Sequence, residues 1–373
     1  MKNFLSIVGT RPQYMKVAPI HRALQDEKFI THEIVDSGQH FDEKMTSVFY
    51  QDFGLPKPIA NLESGSLTLN EAVSKIMMGT DRILRDFNPD FVFVYGDTST
   101  TAGASLALAN LGIPFGHVEA GLRSGDFSMP EERNRIIADN LATINFCPTE
   151  TAYKNLQDSN LGKGSLLTGD VMLDMVKQFE TSFDQGVVQN ERKILFTVHR
   201  EANTNPKRLA QILSYVRDLA AGRKVIWPVH PRISNNPELM RTIKSASLQN
   251  LQAVEPISWK KTQEELVSCD FVVTDSGGLQ KEAYMHNKAS FIPRVSVEWI
   301  ELVECGASYL ENDFEQLGPE ELRRRLVSPL SSNRNLFGNG KAAEMIVRNV
   351  IDKTYPLVAL FYVFSNVSNW KET

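Results

Sequence analysis

The chain has 373 residues, of which 42% are hydrophobic and 23% are charged, and its formal net charge is −5. This length is enough for two domains with separate cores, and the mildly acidic total disfavours nucleic acid as a partner. The three cysteines are far apart and form neither a CxxC zinc pair nor a disulfide framework. Every apolar run is much shorter than the roughly 20 residues that span a bilayer, so we expect no membrane segment and a cytoplasmic location.

Strand and helix patterns alternate in the first half of the chain. Amphipathic helices are predicted at residues 12–25 and 68–86. Apolar strands are predicted at residues 4–9, 32–38, 89–97 and 113–119. Continuous apolar strands separated by helices are typical of a parallel sheet that is buried on both faces. Right-handed crossovers between such strands produce a doubly wound domain.

A polar stretch at residues 178–192 interrupts this pattern and is predicted to be a linker. After it, a helix is predicted at residues 206–221, and strands are predicted at residues 193–199, 224–230, 270–276 and 289–294. We therefore predict an α/β protein of two Rossmann-like, doubly wound domains that face a cleft. The predicted domains are residues 1–178 and 190–353. Residues 354–373 form a tail that either packs back on the N-terminal domain or is an aberrant end.

Charged and polar residues follow the predicted strands, where ligands of open parallel sheets bind. In the first half these residues are Arg11, Lys16, Asp97, Glu119 and Glu131. In the second half they are His199, His230, Ser276, Gly277, Gly278 and Arg294. The carboxylates gather in the first half, whereas the histidines and the Ser-Gly-Gly turn gather in the second. This segregation predicts two different chemical tasks.

The second group has the composition of an anion site. The hydroxyl and backbone N–H groups of residues 276–278 can hold an anionic leaving group, and His199 and Arg294 supply positive charge. The carboxylates of the first half are suited to proton transfer, since acids that lie close together raise the pKa of one another. The sequence thus predicts an anion clamp opposite an acid–base group.

Each of these residues also has a structural interpretation. Asp97 could cap the helix that follows it, and Glu131 could be an acidic residue favoured by the helix dipole. His199 and His230 could be histidines with purely structural hydrogen bonds, and the two glycines could form a tight strand–helix joint. The joint placement of these residues, rather than any one of them, favours a functional site.

A series of motifs resembles the non-hydrolysing UDP-N-acetylglucosamine 2-epimerase family in order and spacing. The motifs are GTRP, GDTSTTAG, HVEAGLRSGD, PEERNR, HREAN, HPR and DSGGLQKEA, and the resemblance runs from Gly9 to about Gly306. It implies a glycosyltransferase-B-like fold, a UDP-amino-sugar substrate and a homodimer. It also implies that the reaction needs no cofactor and no metal.

The resemblance and the strand-end pattern together predict two sets of site residues. The catalytic set is Asp97, Glu119, Glu131, His199 and Lys16. The UDP-binding set is Arg11, Ser276, Gly277, Gly278, Glu282, Arg294 and His230. In the family that the chain resembles, the Ser-Gly-Gly residues hold the diphosphate and the glutamate at position 282 of this chain holds the ribose.

The implied reaction is inversion at C2 of a UDP-N-acetylhexosamine, by anti elimination of UDP and its re-addition to a 2-acetamidoglycal. Glu298 and Trp299 stand where many members have Glu-Arg-Pro, which favours the branch that acts on UDP-2,3-diacetamido-2,3-dideoxyglucuronate for bacterial surface polysaccharides. The sugar stays open between this uronate and UDP-N-acetylglucosamine. Three alternatives are a hydrolysing 2-epimerase, a glycosyltransferase of the same fold and a silent nucleotide-sugar sensor. The presence of the whole catalytic set disfavours the sensor.

Overall fold

The computed structural model describes residues 2–39, 50–182, 192–246, 248–330 and 335–352. These residues group into two compact units. The described residues within Met1–Met175 and from Asn335 onward belong to the first unit, and those within Val176–Arg334 form the second. The predicted tail, residues 354–373, lies outside the described residues, as do residues 183–191 of the predicted linker.

The described residues of the first unit contain a seven-stranded sheet in the order β3-β2-β1-β4-β5-β6-β7, and all neighbouring strands are parallel. The strands are β1 (Lys2–Val8), β2 (Ile30–Asp36), β3 (Ala60–Asn61), β4 (Phe91–Tyr95), β5 (Phe115–Val118), β6 (Ile144–Cys147) and β7 (Ser165–Leu167). The helices are α1 (Arg11–Gln25), α2 (Leu69–Phe87), α3 (Ser99–Leu111), α4 (Pro130–Leu141) and α5 (Glu150–Asp158). A sixth helix, α6 (Val171–Ser182), begins in this unit and ends in the second.

The second unit contains, among its described residues, a six-stranded parallel sheet in the order β10-β9-β8-β11-β12-β13. Its strands are β8 (Lys193–Thr197), β9 (Lys224–Pro228), β10 (Leu251–Val254), β11 (Phe271–Thr274), β12 (Ser290–Ile292) and β13 (Ser308–Leu310). Its helices are α7 (Pro206–Ala220), α8 (Pro231–Ser234), α9 (Pro237–Ser245), α10 (Trp259–Ser268), α11 (Gly277–Met285), α12 (Ile300–Glu304) and α13 (Glu311–Leu326).

Both sheets have the strand order of a doubly wound nucleotide-binding fold, in which the order reverses beside the first strand. The predicted α/β class with two Rossmann-like units is confirmed. In the first unit the reversal lies between β1 and β4, and in the second it lies between β8 and β11. The carboxyl ends of these four strands are therefore the places where a ligand is expected.

Apolar composition explains the central strands. All five residues of β4 are buried, as a strand covered by helices on both faces requires. In the second unit, the rings of Phe196 on β8 and Trp227 on β9 lie 4.7 Å apart in the core. Among the described residues, no helix has the length and apolarity needed to cross a bilayer.

The last described helix, α14 (Ala342–Ile351), groups with the first unit. It packs against α1, and the Asp174 carboxylate on α6 accepts the backbone N–H groups of Ala342 and Ala343 at 3.2 and 2.7 Å. The sequence analysis places residues up to 353 in the second domain, because no local sequence pattern indicates that this helix packs on the first unit. The predicted linker also differs, since residues 178–182 continue helix α6.

Candidate active site

A buried ion pair lies near the switch point of the first unit. Lys16 on α1 donates from Nζ to Oε1 of Glu119, the residue after β5, at 2.5 Å. Lys16 and Glu119 are only 7% and 8% exposed. Gly96 leaves room for the pair, because a Cβ added there would lie 3.1 Å from the Lys16 amine. The structure thus brings together two members of the predicted catalytic set.

The backbone of Glu119 is in the left-handed region, with φ of 70°. This conformation costs a residue with a side chain about 1–2 kcal/mol. Neighbouring hydrogen bonds hold it in place: the carbonyl of Val118 accepts from Gly96 N at 2.9 Å, and Ala120 N donates to Phe146 O at 3.1 Å. Strained residues of this kind concentrate at functional sites, which supports the selection of Glu119.

Arg135 on α4 is the cation among four carboxylates. Its guanidinium donates to Asp97, which follows β4, and to Oε2 of Glu132 at 3.2 Å. Burial alone would lower the pKa of Arg135, but the charges of Asp97, Glu119, Glu132 and Asp139 raise it above its ordinary value. Arg135 is therefore charged in the folded protein, and it holds Asp97 in place.

Two adjacent glutamates at the start of α4 have different environments. Glu132 is buried and accepts from the backbone N and Oγ of Ser124 at 2.9 and 3.0 Å, so it has a structural role. Glu131 is exposed on the first turn of the helix. The structure thus places Asp97 and Glu119 near Arg135 and leaves Glu131 at the surface of the first unit.

A buried network supports the backbone next to Asp97. The His117 ring contacts Asp139 through Nδ1 and the Gly96 carbonyl through Nε2, both at 2.7 Å. Arg123 donates to the same Asp139 carboxylate at 2.6 Å. Burial raises the pKa of Asp139, but its bonds to His117 and Arg123 outweigh burial and lower it. Asp139 is consequently an ionised anchor for the loop that carries Asp97.

In the second unit, Asp275 orients the predicted catalytic histidine. Asp275 follows β11 and accepts from Nδ1 of His199 at 3.0 Å, from the backbone N of Arg200 at 2.9 Å and from Nδ2 of Asn203 at 3.0 Å. Burial raises the pKa of Asp275, but these bonds and the His199 charge lower it to about 2. An ionised partner at Nδ1 turns Nε2 of His199 outward, as in other His–carboxylate pairs.

Helix α11 begins with two glycines that the fold itself does not require. Ser276 caps the helix by accepting from Leu279 N at 3.3 Å. Neither Gly277 nor Gly278 has a positive φ. A Cβ on Gly277 would meet its nearest atom, Oε2 of Glu298, at 3.4 Å, and a Cβ on Gly278 would meet Ser276 Oγ at 3.9 Å. Alanine would therefore fit, and the glycines leave room beside N–H groups that attract anions.

Glu282, on the second turn of α11, is buried, and a neighbouring side chain holds its carboxylate in place. It accepts a hydrogen bond from the Gln263 amide, whose oxygen in turn contacts Nε2 of His286 at 2.8 Å. Burial, and then the charge of Lys288, lower the pKa of His286 to about 4. The ribose contact assigned to Glu282 stays a prediction, and its carboxylate is held in one position for such a role.

The remaining predicted residues lie near these groups or at the start of α1. His230 is exposed, and its ring centroid lies 5.8 Å from that of His199. Arg294 donates through both terminal nitrogens to Glu298 at 3.0 Å. Arg11 is the half-buried first residue of α1. Among the described residues, no three His, Cys, Asp or Glu side chains form a metal-binding group.

The sequence analysis assigns no site role to four partners of the predicted residues, Arg135, Arg200, Asp275 and Glu298. Asp275 stands inside the motif DSGG, so its place next to the turn could have indicated a role. The pairing of Arg135 with Asp97 joins residues that are 38 positions apart. Such pairs depend on tertiary structure, and nothing in their local sequence indicates the partner.

Two Rossmann-like sheets with polar groups at both switch points define the class of α/β enzymes that bind nucleotides. Within this class, residues 22–351 match the family model described as UDP-N-acetylglucosamine 2-epimerase. The chain belongs to this family, so it is an epimerase, which is a kind of isomerase. The family predicted from the motifs is confirmed.

Similar proteins cover nearly the whole chain. The UDP-2,3-diacetamido-2,3-dideoxy-D-glucuronate 2-epimerase of Pseudomonas aeruginosa is 33% identical over 350 residues, which are 92% of this chain and 97% of the relative. The crystal structure of Methanocaldococcus jannaschii UDP-GlcNAc 2-epimerase with UDP-GlcNAc and UDP has a TM-score of 0.80 and 30% identity, with 94% and 99% coverage. The Streptomyces nogalater glycosyltransferase SnogD, at 14% identity and a TM-score of 0.55, shares the fold alone.

Proposed function

We propose that this protein inverts C2 of a UDP-N-acetylhexosamine without hydrolysing it. The observation that carries the proposal is the pair Gly277 and Gly278 at the start of α11, where the fold would accept a side chain and glycine instead leaves the backbone N–H groups uncovered. A diphosphate is the kind of anion that such a helix start holds. The related structure with UDP-GlcNAc and UDP supports this choice of ligand.

The proposed reaction begins when UDP leaves C1 and a carboxylate removes the C2 proton from the opposite side. The C1–O bond breaks with its electron pair going to UDP, and a C1–C2 double bond forms. The N–H groups of Gly277 and Gly278 and the ring of His199 stabilise the charge that develops on the leaving diphosphate. Excluding water from this stage prevents capture of the intermediate.

The second half reaction returns a proton to C2 on the other face and re-forms the C1–O bond. Two faces of the sugar need two acid–base groups, and the first unit supplies the candidates Asp97, Glu119 and Glu131. The ion pairs Lys16–Glu119 and Arg135–Asp97 fix two of these carboxylates. Fixed groups of this kind contribute typically about a hundredfold to ten-thousandfold each to proton transfer.

Incubation with UDP-N-acetylglucosamine and with the 2,3-diacetamido uronate in deuterated water tests the proposal and identifies the sugar. We expect deuterium at C2 and formation of the C2 epimer, still bound to UDP, with one of the two. Release of free N-acetylmannosamine and UDP would instead support the hydrolysing alternative. If neither substrate exchanges its C2 proton and the sugar is transferred to an added acceptor, the protein is a glycosyltransferase and the proposal is wrong.

We further propose that the protein is a cytoplasmic homodimer that supplies a precursor for bacterial surface polysaccharides. The family resemblance supports the dimer and this biosynthetic role. Light scattering on the purified protein tests the dimer directly, because a dimer of this chain has about twice the monomer mass of 41.9 kDa. A monomeric mass over the working concentration range would contradict it.

A further inference from the structure

Two arginines share one carboxylate beside the start of helix α11. Glu298 accepts from Nη2 of Arg200 through Oε1 at 2.7 Å, and it accepts from both terminal nitrogens of Arg294 at 3.0 Å. Arg200 also donates from Nε to the backbone carbonyl of Asp275 at 3.0 Å. We call these three side chains, Arg200, Arg294 and Glu298, the guanidinium cluster.

The guanidinium cluster lies beside Gly277, the first residue of α11. A Cβ added to Gly277 would lie 3.4 Å from Oε2 of Glu298 and 3.9 Å from Nη2 of Arg200. Arg200 is the more accessible of the two arginines, since 29% of its side chain is exposed against 12% for Arg294. An anion at the helix start would therefore meet Arg200 before Arg294.

The charges of the guanidinium cluster do not cancel. Burial raises the pKa of Glu298, but the hydrogen bond from Arg294 and the charges of both arginines lower it to about 2. One ionised carboxylate thus faces two guanidinium groups, and the cluster has a net positive charge. No described residue accepts a hydrogen bond from Nη1 of Arg200, so this nitrogen can still donate.

We propose that Arg200 contacts the diphosphate of the nucleotide sugar and that Glu298 is a positioning residue that holds Arg200 beside Gly277. This inference rests on the proposed function. It also changes the role predicted for Arg294, whose two terminal nitrogens are engaged by Glu298 and which serves to keep that carboxylate in place. Glu298 itself would repel a phosphate, but both of its carboxylate oxygens are engaged by the two arginines, which together outweigh its charge.

Titration calorimetry with UDP, UMP and uridine on the wild type and on Arg200→Ala tests the contact. A hydrogen bond to a charged group contributes enough that its loss weakens binding by about 10- to 100-fold. We therefore expect Arg200→Ala to lose about that factor for UDP, less for UMP and nothing for uridine, which has no phosphate. The UDP affinity of Arg200→Lys should lie between those of the wild type and Arg200→Ala, because lysine keeps the charge but lacks the planar guanidinium group.

Arg223→Ala is the matched control. Arg223 also forms an arginine–carboxylate pair, with Asp270 at 2.6 Å, but it precedes β9 at the amino edge of the sheet. The control should bind UDP like the wild type. If Arg200→Ala fails to fold, as judged by its thermal melt, the same comparison is made with Arg200→Lys, for which weaker UDP binding and unchanged uridine binding are expected.

A double-mutant cycle tests the positioning role of Glu298. Glu298→Gln alone should weaken UDP binding, and it should have no further effect in the Arg200→Ala protein, because the residue it positions is gone. Additive losses would overturn this role. Unchanged UDP binding by Arg200→Ala, or equal losses for UDP and uridine, would overturn the Arg200 contact alone, whereas failure of the wild type to bind UDP would overturn the proposed function as well.

Discussion

At the scale of single residues, the carboxylates proposed for proton transfer lie beside cations that are themselves buried. Lys16 contacts Glu119, and Arg135, which is 3% exposed, contacts Asp97. The Asp97 side chain remains 27% exposed and can meet a substrate. A buried cation cannot swing away easily, so the direction of the carboxylate that it contacts is set before any ligand arrives.

Replacement of Asp97 by asparagine tests its role as an acid–base group. The amide has nearly the same shape but cannot take up a proton at neutral pH, so we expect turnover to fall on the order of a hundredfold or more. Binding of UDP, which is assigned to the second unit, should be unchanged in calorimetry. Asp81→Asn, on the exposed face of α2, is the control and should keep full activity. Wild-type turnover by Asp97→Asn would refute the assignment.

At the scale of elements, glycines have different roles in two helices, α3 and α11. In α3, a Cβ on Gly103 would lie 2.8 Å from the Val73 carbonyl of α2, so this glycine allows the two helices to approach. At the start of α11, a Cβ would meet only ordinary contacts. The first glycine serves packing, whereas we propose that the glycines of α11 serve ligand binding.

Alanine substitution separates these two roles. Gly278→Ala should leave the free energy of unfolding equal or raise it by up to about 1 kcal/mol, because alanine favours the helix. The same change should weaken UDP binding about tenfold or more, since the added methyl occupies the anion's room and displaces charged hydrogen bonds. Urea unfolding and calorimetry measure the two effects.

Gly103→Ala is the contrasting variant. It should lower the free energy of unfolding by about 1–3 kcal/mol through overpacking against α2. Its UDP affinity under native conditions should match the wild type. Loss of stability in Gly278→Ala, or unimpaired UDP binding by it, would show that the α11 glycines are structural.

The elements that the sequence predicts well are those with long apolar runs. The strands β4 and β5 and the turn into α11 lie where the pattern predicts them. The prediction omitted β3, β6, β7, β10 and β13, which have only two to four residues each and carry no periodic signal over that length. The position of α14 depends on contacts with α1 and Asp174, which are remote in sequence. Local pattern cannot reveal such contacts.

At the scale of the whole molecule, each unit contains a histidine that resists protonation: half-buried His32 in the first and buried His286 in the second. Burial, and then the charge of His21, lower the pKa of His32 to about 3, and burial lowers that of His286 to about 4. An unfolded histidine takes up a proton near pH 6.5. As the pH falls below about 6.5 the unfolded chain therefore binds protons that the folded units do not, and stability decreases.

Urea unfolding between about pH 7.5 and pH 4.5 measures this effect. We expect the urea midpoint to fall as the pH is lowered. Each histidine that stays neutral in the folded protein should lower the free energy of unfolding by up to about 1.4 kcal/mol per pH unit below 6.5. His286→Gln can still donate to Gln263 but does not titrate, so the pH dependence of this variant should be shallower. A wild-type midpoint that stays constant or rises on acidification to pH 5 would contradict the expectation.

The return of α14 to the first unit has a consequence for biosynthesis. On the ribosome, the sheet of the second unit is complete in the nascent polypeptide before Ala342–Ile351 has been translated. The first unit is then still without the helix that covers α1, even though its strands emerged earliest. The half that is made first therefore cannot complete its own structure until the other half has been translated.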